Sequence, residues 1–446
     1  MTLYKNERLA PDIFKIEVEK IRTGWYSDKY FCNNVFMLER LSREGYTFQG
    51  ESDVKDVDCS MVRNGDIEVE MQIFTRRRPF SLVAGLDEAL AILKECTGYY
   101  ENDCFVNTYD QLQVEAVRDG TFVHYNGNPL EVEPVMKIRG RYRDFAKLET
   151  VLLGVIAEPT RIATNVYNTL VASQSKEILF FPARFAHYKM QSLHGYAYSV
   201  AIQAHNAKFG KKNFRFVSTD EQGSWWGAEG VGTIAHATIC SFLGDTTETM
   251  MQFCRIMPRK VARIALIDYK NDCLGESRKI MERMFAKYLE LMIAGKEDDA
   301  ACYKLYAVRP DTSATMIDVS LDGPMATIAS DGGVCPRLIR SLRSALDCAY
   351  QEWDVPSEYL TMAKDWCKSV LIAVTGGFNI AKITEFERNN VPVDIYGIGS
   401  SLIENSKETN NDFTADIVRV KIHDEWRHLA KIGRCVCGNS NLERIL

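Results

Sequence analysis

Hydrophobic and polar positions are spaced differently in successive stretches of the chain, and each spacing predicts its own kind of element. From about Asn64 to Val135 the runs are short: residues 67–74 mostly alternate, residues 121–124 favour a strand, and Asn126-Gly127 is a strong turn signal. Between them, residues 86–95 have helical periodicity, so this stretch predicts a small α/β sandwich. Residues 148–171 change character, with Leu148, Leu152, Val155 and Ile156 on one helical face. A helix there opens the next domain, and Pro159 is expected to interrupt or kink it.

Beyond that helix, short β-branched runs end repeatedly in polar or glycine-rich turns and lead into helix-like stretches. The runs are 180–184, 214–220, 232–236, 264–268, 305–311, 371–377 and 393–401. Such alternation implies βαβ units and a parallel sheet. The number of runs, with room for one more, favours a parallel β/α barrel over an open sheet. The expected organisation is an α/β protein with an N-terminal α/β sandwich domain (1–145), a β/α barrel (146–402) and a C-terminal segment (403–446) folding back on the N-terminal part.

Nearly all the reactive residues of the second domain fall where a predicted strand ends. In a β/α barrel these ends form one rim, so residues far apart in sequence would meet there. Polar residues also follow strands simply because turns are polar, and position alone does not separate the two explanations for any single residue.

Composition narrows the class. The chain has 446 residues, 46% hydrophobic and 26% charged, an ordinary globular mixture long enough for two or three domains. Its formal charge of −6 argues against a broad grip on nucleic acid, which needs clustered Lys and Arg. The run Arg76-Arg77-Arg78 is too short to change that, and is read as a solvated face or a local phosphate contact. Thirteen scattered cysteines suit reduced thiols. Residues 1–20 carry charges throughout, without the apolar core of a signal peptide, and no apolar run reaches membrane-spanning length. The expected location is the cytoplasm.

The strongest local chemistry lies near the end of the barrel region. Thr375-Gly376-Gly377 follows one predicted strand, and Gly397-Ile398-Gly399-Ser400-Ser401 ends the next. Glycines let backbone N–H groups approach an anion, a helix N-terminus adds a favourable dipole, and the last two barrel loops are the usual phosphate site. Gly376, Gly377, Gly397, Gly399 and Ser400 are therefore candidate phosphate binders, with plain turns as the alternative.

These segments also resemble a known family. Residues 374–378, Lys382-Ile383, Phe386-Glu387, Pro392-Val393-Asp394 and residues 396–402 are similar to the carboxyl half of nicotinate phosphoribosyltransferases. So are 307–313, 264–268, 232–236 and 148–154, in the family's order, and the likeness covers most of Ile21 to Arg434. The resemblance implies transfer of a phosphoribosyl group from phosphoribosyl pyrophosphate to nicotinate, with Mg²⁺ on the diphosphate and ATP as co-substrate.

It also implies roles. Arg309 and Asp311 would bind the phosphorylated sugar, the guanidinium on phosphate and the carboxylate on ribose hydroxyls or Mg²⁺, unless they form an internal ion pair. Thr312-Ser313 stands where many members carry Ser-Gly. Asp268 is a similar candidate for ribose or Mg²⁺. His236, in Gly-Thr233-Ile-Ala-His, would accept a phosphoryl group from ATP, with Thr233 on the substrate side. Phe181 would stack on the pyridine ring, and Arg184 would contact the base or its phosphate. Tyr30 would complete the base site from a neighbouring subunit, implying a homodimer.

Two features depart from the pattern. Residues 218–226 are bulky and acidic, and Asp220 beside the ring would repel a carboxylate and accept a bond from an amide, which would favour nicotinamide. Quinolinate, with its second carboxylate, would call for further basic residues. Cys435-Val-Cys437 is similar to half of a zinc knuckle; zinc needs four ligands and no second cysteine pair follows, which leaves His423 and His428 as conceivable further ligands. A non-catalytic sugar-phosphate-binding protein is the reading from another class, and Arg309, Asp311, His236 and both glycine loops argue against it.

Overall fold

The computed structural model describes residues 8–321 and 323–446, and the chain divides into two compact units. One holds the chain up to Tyr167 together with Tyr196–Ala204 and Glu404–Leu446; the other holds Asn168–Gly195 and His205–Ile403. Among the described residues no helix is long and apolar enough to cross a membrane.

The first unit is built on a six-stranded antiparallel sheet. Its order is Glu425–His428, Phe413–Ile422, Glu68–Thr75, Met136–Arg141, Gln113–Ala116, Glu443–Arg444. Alternation does run along Glu68–Thr75, yet all of its positions after Glu68 are buried, because both faces of this central strand are covered. Val69, Met71 and Ile73 pack into the core with Leu86, Ala89, Ile92 and Leu93 of the helix Leu86–Cys96. On the other face Phe74 packs with Tyr125, Val132 and Cys437. Gln72 there donates to the Cys435 carbonyl at 2.9 Å and accepts from the Cys437 N–H at 3.1 Å. Glu70 is fully buried but answered by Arg139 at 2.9 Å and Arg419 at 3.1 Å, as a buried carboxylate requires.

Of the two outcomes expected for Pro159, interruption does not occur: Glu149–Ala172 runs through it. Proline removes one i→i−4 bond and crowds the carbonyl of Val155. That carbonyl faces Gly85, where an added Cβ would stand only 2.1 Å from the Val155 oxygen and 2.8 Å from the proline ring. Beyond the proline, Thr160 Oγ1 both accepts from the Ala84 N–H and donates to the Ala84 carbonyl, each at 3.1 Å. Thr164 Oγ1 accepts from the Leu82 N–H at 3.0 Å and donates to the Thr160 carbonyl at 2.7 Å. The helix is tied to the segment 82–85 around its weak point, and those ties keep it continuous.

The second unit carries a six-stranded parallel sheet. Its order is Ile264–Leu266, Ala307–Arg309, Leu371–Val374, Ile395–Ile398, Glu177–Phe180, Phe216–Val217. The first strand in sequence pairs with the last, so the sheet curls as a barrel does. It does not close among the described residues, which corrects the expectation of a full barrel. Residues 232–236 form a loop entering the helix His236–Ser241, not a strand, and the Val231 N–H bonded to the Val217 carbonyl at 2.8 Å is the remnant of pairing there. Leu179, Ile264, Ala307, Ala373 and Ile395 form a core across the sheet.

The tie around Pro159 gives a direct test. Gly85 has φ of +98° and no room for a Cβ, so Gly85→Ala should lower the unfolding free energy by about 2–4 kcal/mol. Urea denaturation followed by circular dichroism checks this, and an unchanged midpoint refutes it.

Candidate active site

Five segments at the carboxyl edge of the parallel sheet line one cavity of about 360 Å³. The turn after Glu177–Phe180 supplies Phe181, Arg184 and Phe185, and the loop before His236–Ser241 supplies Thr233, Ile234 and His236. Arg309 and Asp311 come from the end of Ala307–Arg309; Thr375, Gly376, Gly377 and Phe378 follow Leu371–Val374; Gly397, Gly399 and Ser400 come from the end of Ile395–Ile398. Parallel strands all present the same end to one edge, which is why residues so distant in sequence share a wall.

Arg309 is the hub. Its Nη2 donates to the Ile234 carbonyl at 3.1 Å, and its Nη1 to Thr375 Oγ1 at 3.2 Å and Asp311 at 3.5 Å. Its Nε is buried without a hydrogen-bond partner among the described residues. Burial draws the guanidinium below its usual pKa, while Asp311 and Asp268 oppose the shift. The side chain reaches the cavity with most of its donors already directed at protein acceptors.

His236 opens its helix with its ring half exposed, and Nε2 lies 3.1 Å from both oxygens of Asp268. Burial raises the Asp268 pKa above the usual carboxylate value, and the neighbouring imidazole works against that rise. A carboxylate held this way fixes the ring and its tautomer: with Nε2–H donated to Asp268, Nδ1 carries the lone pair.

The two glycine turns differ in what they do. Gly376 and Gly377 have φ of +92° and +71°, a left-handed pair that only glycine adopts readily and that leads into the helix Ile380–Arg388. Gly397 and Gly399 serve as floor. A Cβ on Gly397 would come within 3.1 Å of the Phe181 ring, and one on Gly399 within 2.5 Å of the Phe185 ring. Both rings therefore rest on bare backbone and line the cavity beside Arg184, whose guanidinium lies 5.1 Å from the Phe185 centroid.

Sequence reasoning quoted Thr375, Phe378 and Lys382 within motifs but gave them no role, and it did not mention Phe185. Phe185 stands four residues after Phe181, and Thr375 directly precedes the glycine pair, so both carried a positional signal. Lys382 Nζ lies 4.3 Å from the Phe378 centroid and 3.5 Å from the Gly376 carbonyl, and burial lowers its pKa.

Other candidates lie elsewhere. Asp220 is exposed and accepts from the Gly230 N–H at 2.8 Å, a loop-closing bond, and it does not line the cavity. Tyr30 belongs to the first unit, on the helix Lys29–Glu44, 58% exposed. Cys435 and Cys437 have their Sγ atoms 3.7 Å apart, both directed at the Leu130 carbonyl, and His423 Nε2 lies 2.7 Å from the Asp58 carbonyl oxygen. Among the described residues no three His, Cys, Asp or Glu side chains gather where they could hold a metal ion.

Comparison with known proteins bears on the fold. Residues 56–160 match the family model for the N-terminal domain of quinolinate phosphoribosyl transferase. No curated protein matches the sequence. Among solved structures, the nicotinate-nucleotide pyrophosphorylase from Pyrococcus furiosus is 23% identical with a TM-score of 0.60, over 94% of this chain and 79% of that one. Human nicotinic acid phosphoribosyltransferase is 14% identical with a TM-score of 0.50, over 89% of this chain and 75% of that one. The chain thus shares its fold with the nicotinate-nucleotide pyrophosphorylase of Pyrococcus furiosus and human nicotinic acid phosphoribosyltransferase.

Proposed function

We propose that this protein is a cytosolic phosphoribosyltransferase of NAD synthesis that converts nicotinate and phosphoribosyl pyrophosphate into nicotinate mononucleotide and pyrophosphate. The observation that carries this reading is the single cavity in which two aromatic rings, an open arginine, a glycine-pair turn and a histidine held by a carboxylate meet. The named activities of the structures that share the fold support phosphoribosyl transfer in NAD synthesis, and the choice of base rests on the cavity.

The pyridine ring lies between Phe181 and Phe185, with its carboxylate on Arg184. Its ring nitrogen attacks C1 of the phosphoribosyl group, and the bond from C1 to the pyrophosphate oxygen breaks. The backbone N–H groups around Gly376-Gly377 and Gly399-Ser400 take phosphate oxygens, and Asp311 takes ribose hydroxyls. No proton needs to move at the reacting atoms, so the rate comes from alignment and charge stabilisation. Mg²⁺ neutralises diphosphate charge when bound. Asp268 and Asp311 fit it, since Mg²⁺ commonly takes one or two carboxylates and completes its shell with water and substrate phosphate.

In the same reading ATP transfers its γ-phosphoryl group to Nδ1 of His236, with ADP leaving. The sequence expectation for Asp220 at the ring loses its support, because that carboxylate is engaged with Gly230. Nicotinamide is then disfavoured. Quinolinate remains as a second reading, favoured by the match to the quinolinate family model. It needs two cations for two carboxylates, and of the two arginines lining the cavity Arg309 is bonded to Ile234, Thr375 and Asp311. Nicotinate, with one carboxylate for Arg184, fits better. The protein acts as a homodimer in this reading, with Tyr30 reaching the site of the partner copy.

Three measurements test these statements. With phosphoribosyl pyrophosphate, Mg²⁺ and each base in turn, nicotinate should give mononucleotide and Arg309→Gln should lower kcat/KM by about 10²–10³-fold. Product from quinolinate alone replaces the base, and product from none sinks the enzyme. Incubation with ATP labelled at the γ-phosphate should leave an acid-labile, base-stable label that His236→Ala abolishes along with ATP stimulation; label retained in that variant refutes the assignment. Mixing inactive Tyr30→Ala and Arg309→Gln proteins should restore about a quarter of the parent activity per chain if sites are shared between two copies. No restoration, with mixed dimers demonstrated, removes Tyr30 from the site.

A further inference from the structure

The first unit contains a cavity of its own, of about 600 Å³, that the proposed reaction does not use. Arg76, Arg77 and Arg78, directly after the strand Glu68–Thr75, line it together with Lys407. The carboxylates on its wall are Glu408 and Asp412, and among the described residues none of the four cations forms an ion pair with a carboxylate. Four cations against two carboxylates leave a surplus of two positive charges.

The arginines are placed, not merely solvated. Arg77 is buried, and every acceptor it reaches is neutral: Asn165 Oδ1 at 2.7 Å, Asn411 Oδ1 at 3.3 Å and the Arg161 carbonyl at 3.3 Å. Burial, with the charge of Arg161 added, brings its pKa down to about 10, which still leaves it cationic at neutral pH. Arg76 has Nε and Nη2 buried with no hydrogen-bond partner among the described residues, and its guanidinium sits 4.9 Å from the Phe74 ring centroid. Arg78 lies 5.7 Å from the Tyr125 centroid. Aromatic faces hold two guanidinium groups in position without neutralising them.

A buried guanidinium without an anion or a full set of acceptors is costly, and a bound anion would relieve that cost. We propose that this cavity is a binding site for a phosphate-type polyanion, such as inorganic phosphate, diphosphate or the polyphosphate tail of a nucleotide. A tetrahedral oxyanion suits a cavity lined by several guanidinium groups. The surplus of two positive charges attracts a ligand with at least two negative charges more strongly than a monoanion. The charge of the chain as a whole and the size of the cavity place a small anion there, not a nucleic acid strand.

Isothermal titration of the full-length protein with inorganic phosphate, pyrophosphate and ATP tests the site. Arg309→Gln, in which the glycine turns of the catalytic cavity keep their N–H groups, serves as the background, and it should bind one polyanion per chain beyond any that cavity holds. Adding Arg76→Gln, or Lys407→Gln at an exposed position that folding does not depend on, should weaken that binding by about tenfold or more and reduce its salt dependence. The tightest of the three probes identifies the source of the phosphate. The proposal is overturned if the Arg309→Gln protein binds none of them. It is equally overturned if both added substitutions leave the affinity unchanged. Because the readout is binding with Arg309 already replaced, a failure of the phosphoribosyltransferase reading leaves this result interpretable.

Discussion

Arg309 reaches from the end of its strand to the Ile234 carbonyl on one side and Thr375 on the other. Ile234 lies two residues before His236, and Thr375 immediately precedes the glycine pair, so one guanidinium sets the spacing between the histidine and the anion-facing turn. The need for such a tie follows from the topology. The parallel sheet stays open between Phe216–Val217 and Ile264–Leu266, so residues 232–236 have no full ladder of hydrogen bonds. Arg309 supplies from a side chain what a strand would have supplied from its backbone. A lysine could not: its single ammonium lacks the fork that lets one residue bond two loops in fixed directions.

Close approach is the second constraint. Aromatic rings can lie against a strand end only where no Cβ intervenes, and Gly397 and Gly399 provide that at adjacent outward positions. The glycines at Gly376-Gly377 solve a different problem, a left-handed turn ahead of a helix. Two turns that look alike in sequence therefore use their glycines differently, one to let aromatic rings lie on the backbone, the other to turn left-handed into a helix.

Much of this was legible in the sequence, because it depends on period and order. Alternating β and α runs require a parallel sheet, and a parallel sheet requires its strand ends to converge, so the order of the chain alone brings Phe181, Arg184, His236, Arg309, Asp311 and both glycine turns to one edge. Illegible were the features that depend on which partner wins. Residues 232–236 look like a strand by composition, but bond as a loop. Pro159 should break a helix on local grounds, and Thr160, Thr164 and Gly85 override it from contacts across the fold. Asp220 follows a strand, as a rim residue should, yet it closes its own loop through Gly230. No spacing rule distinguishes a carboxylate aimed at a ligand from one aimed at the neighbouring backbone.

The same ambiguity governs arginine, and the structure resolves it by the kind of partner each one finds. Arg139 and Arg419 each meet the Glu70 carboxylate, so both guanidinium groups find an anion inside the sheet. Arg309 is balanced in part, by Asp311, and keeps a buried Nε with no partner among the described residues beside the cavity. Arg77 meets only amide and carbonyl oxygens, with another cation near it. Along this series the protein supplies less of the counter-charge and leaves more for a ligand to supply. A formal charge of −6 describes the whole chain and hides this gradient, because repulsion of anions by the surface falls off within a Debye length of about 10 Å, whereas a guanidinium facing a cavity acts at contact.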